Sequence, residues 1–391
     1  MKSVRDLDVQ GKRVFVRVDY NLPMDEQLNI TDDNRISATL DMIDYLVARK
    51  AKIILASHMG RPKGVKDDRL SLKPAAQRLA QLLNQPVSFA DDCIGEKVEL
   101  QIADLGDGQI LLLENLRFHA EEKKNDLAFA KKLADLCDIY VNNAFAVSHR
   151  DQASITGIPK FAAQACAGFL LEKEVQAYTD SVEHPKKPLV AVIGGAKVSS
   201  KLAALANLLT FVDKLIIGGA MANIFLKARG VDTKGSMIEA DLLETAGVIL
   251  EKAEKKGIKL LLPSDLVVAD KFDKDAAVKI VSIDEIPEGW MALDIGPKTA
   301  DLYADSIQDA GTIVWNGPMG VFEMEKFAKG TQTVADAIAG SKAFSIVGGG
   351  DTGLAAKQCG VADKVSYIST GGGAFLHMME GKKLPGVVAL E

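Results

Sequence analysis

Short runs of Val, Ile and Leu recur along the chain, and between them lie longer stretches with an apolar residue every three or four positions. The first period is that of strands and the second that of amphipathic helices, so the chain reads as repeated βα units. In the first half the predicted strands are "RVFVRV" (13–18), "KIILAS" (52–57), "ILLLEN" (110–115) and "IYVNN" (139–143). The second half offers "LVAVIGG" (189–195), "KLIIGG" (214–219), "IKLLLP" (258–263), "TIVWNG" (312–317), "FSIVGGG" (344–350) and "KVSYIST" (364–370). Because these runs are almost continuously apolar, they fit parallel strands covered on both faces, which predicts an α/β fold of two three-layer domains. Between the halves, Phe161, Ala165, Phe169 and Val175 fall at helical spacing before Pro185 and Pro188 stop the pattern. This predicts a connecting helix and a domain boundary near 165–185.

At 391 residues and 48% hydrophobic content the chain is long enough for two large cores. A net charge of −6 speaks against a dedicated nucleic-acid binder, so any cationic site must be local. The four cysteines are scattered without metal-ligand or disulfide spacing, which fits a reducing cytoplasm. No stretch reaches the run of about 20 apolar residues needed to span a bilayer, and no membrane partner is expected.

Ligands of open α/β sheets bind beyond the carboxyl ends of the strands, so the residues after each strand are the informative ones. In the first half these are Asp19 and Asn21, then His58 and Arg61, Arg117 and Arg150, with Arg35 following the first strand. Arginines gathered at one edge repel one another and call for an anion, a small phosphate or carboxylate. The second half presents glycines instead: "IGGAKVSSK", "IGGAMAN", "WNGPMG", "GGGDTG" and "STGGGA" each follow a strand. Such turns expose backbone amides to phosphate oxygens. Lys197 and Lys201, four apart at the start of a predicted helix, would share one face.

Gly348, Gly350 and Gly353 have the spacing of a dinucleotide-binding turn, yet the next strand end, "YISTGGGAF", lacks the carboxylate that would take a ribose hydroxyl. A hydride-transferring NAD enzyme therefore rests on that spacing alone. Asp351 after the triple glycine suits Mg²⁺ bound to phosphates, and no Walker A sequence occurs. A two-lobed anion sensor would need no second, glycine-lined edge.

Taken in order and spacing, "RVDYNLP", "SHMGRP", "ENLRFH", "GGAKVSSK", "WNGPMGVFE", "GGGDT" and "STGGGAF" resemble the bacterial-type phosphoglycerate kinases over essentially the whole chain. The resemblance implies two Rossmann-like domains: residues 1–170, with 380–391 packing back on them, for phosphoglycerate, and 171–379 for Mg-nucleotide. It implies reversible phosphoryl transfer from 1,3-bisphosphoglycerate to ADP in glycolysis, directly and in line as the domains close, by a cytoplasmic monomer. By the same resemblance Asp19, Asn21, Arg35, His58, Arg61, Arg117 and Arg150 hold the phosphoglycerate. Gly195, Lys197, Lys201, Gly218, Gly219, Asn316, Glu323, Gly349, Gly350, Asp351, Thr352, Gly371 and Gly372 serve ADP or ATP, with Asp351 on Mg²⁺ and Glu323 toward the ribose. Arg35, Lys197 and Lys201 would carry the catalytic charge, and Gly168 and Glu172 would lie in the hinge. "NNAFAVSHR" departs from the family form near "DAFGTAHR", with Asn143 in place of an acid and Ala146–Val147 in place of Gly-Thr.

Overall fold

The computed structural model describes residues 1–391, which divide into two compact units, Met1–Val175 with Lys383–Glu391, and Gln176–Lys382. The first unit holds a parallel sheet of β1 (Arg13–Arg17), β2 (Lys52–Ala56), β3 (Val87–Phe89), β4 (Ile110–Leu112), β5 (Ile139–Asn142) and β6 (Gln164–Ala167), in the order β3-β4-β2-β1-β5-β6. Val14, Val16, Ile53, Leu55 and Val141 pack from the sheet against Met42, Ile43, Leu46 and Leu79 of its helices. With near-continuous burial along β1, β2, β4 and β5, apolar side chains leave both faces, which is why no alternation is visible in the sequence.

Gln164–Ala167 corrects the expectation of one helix running on from Phe161. This segment is an edge strand, with Cys166 level with Val141 of β5, and the helix begins only at Phe169 and ends at Tyr178. The four-residue spacing of Phe161, Ala165 and Phe169 imitates a helix, but Cys166 and Ala167 are the buried pair and Gly168 breaks the chain between strand and helix. Asn143 supplies what that helix start lacks. Its Oδ1 accepts the Leu170 amide at 2.8 Å, and a Cβ on Gly168 would lie 2.5 Å from the same oxygen. Asn143 Nδ2 is buried without a partner, so the residue serves the helix with its acceptor only. Asn143→Ala is expected to cost about 1 kcal/mol, as loss of a helix cap does, read as a lower denaturant midpoint at unchanged slope.

The second unit has a parallel sheet of β7 (Leu189–Ile193), β8 (Lys214–Ile217), β9 (Lys259–Leu261), β13 (Thr312–Asn316), β14 (Phe344–Val347) and β15 (Tyr367–Ile368), ordered β15-β14-β13-β7-β8-β9. Counted within the sheet this is the doubly wound order 3-2-1-4-5-6, whose direction reverses between β7 and β13. Both units are thus Rossmann-like α/β, as the sequence pattern predicts. Between β9 and β13 the chain makes a small antiparallel sheet, β11-β10-β12, from β10 (Asp265–Ala269), β11 (Val278–Ser282) and β12 (Met291–Ile295), over a satellite core of Val267, Leu293 and Phe327. The C-terminal segment returns to the first unit, where the Gly386 amide donates to Ser148 O at 2.8 Å.

Candidate functional site

In the first unit the loops after β1, β2, β4 and β5 bring the expected polar side chains to one edge. Asp19 follows β1, is buried, and takes an ion pair from Arg35, which stands on the short helix Asn34–Ser37. Asn21 Oδ1 accepts the Gly60 amide at 2.8 Å, tying the loop after β1 to the loop after β2. Arg117, on the 3₁₀ turn Leu116–Phe118, donates Nη1 to Gly60 O at 2.8 Å while its Nε and Nη2 are buried with no acceptor. Burial, followed by the charges of Arg150 and Arg17, pushes the Arg117 guanidinium down to about 10. Arg150 is lowered in the same way, by burial and then by Arg61 and Arg17, against the pull of Asp19. Arg17, Arg61, Arg117 and Arg150 thus act on one another through their charges, and Arg61 itself remains exposed.

Burial holds His58 well below its usual value, with Arg17, Arg117, Arg150 and Arg35 adding to the effect. The ring is therefore neutral, and its Nδ1 accepts from Arg17 Nη2 at 3.2 Å. That nitrogen also lies 3.7 Å from Asp19, but with the imidazole neutral this is no ion pair. Arg17 is the residue that sequence reasoning missed. It is fully buried in β1, and its Nε donates at 2.8 Å to Ser154 Oγ, which in turn donates to Glu122 at 2.6 Å. The signal was present in "RVFVRV", where a charge interrupts an apolar run; a buried charge needs partners, and Ser154 and Glu122 lie too far along the chain to be guessed.

In the second unit the crevice forms where the sheet reverses. Asn316 is level with Ile193 in the β13–β7 pairing, so the turns that follow face each other. The Gly194 amide donates to Asn316 O at 3.0 Å and the Gly195 amide to Pro318 O at 2.9 Å. A Cβ on Gly194 would sit 2.1 Å from Pro318 O, so only glycine allows this approach, and Gly195 has φ +92°. Gly218 and Gly219 open the helix Gly219–Ala228, with the Gly219 amide on Met319 O at 2.9 Å. Gly349 and Gly350 begin the helix Gly350–Gln358, and Gly371 and Gly372 the helix Gly372–Met379. These two turns abut, since a Cβ on Gly372 would lie 2.9 Å from Gly349 Cα. Asn316 Nδ2 donates to Gly348 O at 2.8 Å, and Thr352 Oγ1 accepts the Gly317 amide at 2.7 Å.

Lys201 Nζ donates to Gly194 O at 2.7 Å and to Asn316 O at 3.1 Å, which fixes a positive charge against the turns after β7 and β13. Burial pushes this amine down to about 8, with Asp351 pulling the other way. Lys197 does not share a helical face with it: residues 194–201 form turns, the helix starts at Leu202, and Lys197 is exposed. Asp351, in the first turn of Gly350–Gln358, and Glu323, in the loop beyond Met319, are both exposed.

Lys201 loses its charge as pH rises through about 8, so the cation set against these turns is lost over that range. The folded chain holds this proton less tightly than the unfolded one, whose amine has its ordinary 10.5. The same group therefore adds stability as pH rises from about 8 toward 10.5.

Two doubly wound units, one edged with guanidinium groups and the other with a glycine-lined crevice holding a buried lysine, define a nucleotide-dependent phosphotransferase acting on a small anion. Comparison with known proteins agrees. The family model described as phosphoglycerate kinase matches residues 4–382. The phosphoglycerate kinase of Desulforapulum autotrophicum is 63% identical over 391 residues, covering 100% of both chains, and that of Desulfosudis oleivorans is 56% identical, covering 100% of this chain and 99% of its own. Among solved structures, phosphoglycerate kinase from Coxiella burnetii superposes with a TM-score of 0.92 at 45% identity, covering 99% of this chain and 98% of that one. The enzyme from Pyrococcus horikoshii gives 0.86 at 34%, with coverage of 100% and 98%. The chain belongs to the phosphoglycerate kinase family. It is a kinase that moves a phosphoryl group between 1,3-bisphosphoglycerate and ADP, giving 3-phosphoglycerate and ATP in glycolysis, and it uses the nucleotide with Mg²⁺.

Proposed function

We propose that the first unit holds the phosphoglycerate on Asp19, Asn21, Arg35, His58, Arg61, Arg117 and Arg150, and that the second holds the nucleotide on the glycine turns with Lys197, Lys201, Asn316, Glu323 and Thr352. One observation carries the first half: two nitrogens of the buried Arg117 guanidinium have no protein acceptor. Such donors cost stability unless an anion meets them. The second half is supported by the glycine turns that meet at the β7–β13 reversal, where Lys201 is held on the carbonyls of Gly194 and Asn316, although the amides of Gly194, Gly195 and Gly219 are already taken by carbonyls of the chain. Neutral His58 then serves as a hydrogen-bonding group among cations, without adding to their repulsion.

In the direction that consumes ATP the attacking group is a carboxylate, ionised at neutral pH, so the reaction needs no general base. What the residues must supply is alignment and positive charge around a loose transition state, for direct in-line transfer. Arg35 and Lys201 supply that charge, and Lys197 assists. Asp351, an exposed carboxylate at a helix start and close enough to Lys201 to raise its pKa, fits as a ligand of the nucleotide's Mg²⁺. The ion, when bound, offsets charge on the phosphate oxygens. Since the two residue sets belong to different units, transfer is read as accompanying closure of the units, which also excludes water. The connecting helix Phe169–Tyr178, which Gly168 precedes and which carries Glu172, would serve as the hinge. A cytoplasmic monomer is the expectation carried over from the family; the four cysteines are free, and no helix is long and apolar enough to cross a membrane.

A coupled assay should show ATP formed from 1,3-bisphosphoglycerate and MgADP, and solution scattering should show a smaller radius of gyration with both substrates present. An unchanged scattering profile under conditions of measured turnover would overturn the closing motion.

A further inference from the structure

"ENLRFH" ends in a histidine to which the phosphoglycerate and nucleotide sites give no part. His119 follows the turn Leu116–Phe118, and one of its ring nitrogens lies with a carboxylate oxygen of Asp92 and the Sγ of Cys93 in a group whose members are all within 4.8 Å of one another. The three residues come from two loops, Asp92 and Cys93 after β3 and His119 after β4. Their positions are set by other contacts. His119 Nε2 is 2.7 Å from Asp92 Oδ1, the ring stacks on Phe129 with centroids 5.2 Å apart, and the Cys93 amide donates to Asp92 Oδ1 at 2.6 Å. Asp92 is exposed, His119 half-buried and Cys93 buried, so the group reaches inward from the surface with the sulfur at its inner end. Asp92 also lines an open cleft of about 490 Å³ with Asp91, Glu96 and Lys97, in which carboxylates outnumber the one cation.

We propose that Asp92, Cys93 and His119 form a three-ligand site for a borderline-soft divalent cation of the Zn²⁺ class, apart from the Mg²⁺ that accompanies the nucleotide. Thiolate, imidazole and carboxylate are the ligand types zinc takes, and bonds of about 2.0–2.3 Å in a tetrahedron place ligand atoms about 3.3–3.6 Å apart. The present spacing reaches that geometry with small side-chain movement, the His119–Asp92 hydrogen bond giving way to two metal bonds. The fourth position is left for water. On binding, the Cys93 thiol releases its proton to solvent and the sulfur takes the metal in its place. The sulfur excludes Mg²⁺ as occupant, because that ion takes oxygen ligands. Bound, the cation would pin the loop after β3 to the turn that carries Arg117.

The test uses the full chain stripped with a chelator and titrated with Co²⁺. A thiolate-to-cobalt charge-transfer absorption should saturate at one equivalent, persist in excess Mg²⁺ and vanish on adding Zn²⁺. His119→Gln, at a half-buried position, and Asp92→Asn, at an exposed one, should each weaken binding by roughly 10-fold or more, and Cys93→Ser should abolish the band. Absence of a saturating band, or a band of equal affinity in His119→Gln, would overturn the site even if the Cys93 variant fails to fold.

Discussion

Arg35→Ala is expected to lower kcat for ATP formation by roughly 10²–10³-fold while MgADP affinity stays near that of the parent. The magnitude is that of removing one preorganised donor aimed at charge developing in a transition state. Two features hold Arg35 ready: the helix Asn34–Ser37 carries it, and Asp19, itself fixed behind β1, takes its guanidinium. That pairing keeps a flexible side chain in place before substrate arrives, so its entropy is not lost at the moment of reaction. An exposed arginine serving only solubility would leave turnover unchanged, and steady-state kinetics with saturating substrates distinguish the two.

Gly194→Ala is expected to abolish tight nucleotide binding and to lower stability together. The new Cβ would stand 2.1 Å from Pro318 O and 2.7 Å from Met319 Cε, and the first of these is backbone, which cannot swing aside. Relief requires the turns after β7 and β13 to separate, which breaks the Gly194–Asn316 and Gly195–Pro318 bonds and moves the carbonyls that position Lys201. Overpacking of this kind costs about 1–3 kcal/mol. A thermal melt should show the stability loss, and titration with MgADP the binding loss; a variant binding MgADP normally would show that the crevice is not the nucleotide's site.

Much of this was legible in the sequence. The central strands were, because strands buried on both faces are runs of Val, Ile and Leu, and the glycine turns were, because each follows such a run. The edge strands of the first unit were not. Val87–Phe89 and Gln164–Ala167 are short and carry few β-branched residues, and in the second case a coincidental helical spacing points the other way. The β10–β12 sheet is hard to foresee because β11, "VKIVS", is largely exposed and lies among charged loops. Among site residues, those at loop positions are marked by their place after strands, whereas Arg17 is hidden within a strand. Lys197 and Lys201 suggest a shared helix face because sequence spacing alone does not show that the Gly194–Gly195 turn postpones the helix to Leu202.

The proposed division of duties between the two units is tested most directly by Arg117→Met. In parallel calorimetric titrations this variant should lose 3-phosphoglycerate affinity by roughly 10–100-fold, the worth of a hydrogen bond to a charged group. Its MgADP affinity should not change. Undiminished 3-phosphoglycerate binding, or a fall in MgADP affinity instead, would contradict the assignment of acid to the first unit and nucleotide to the second.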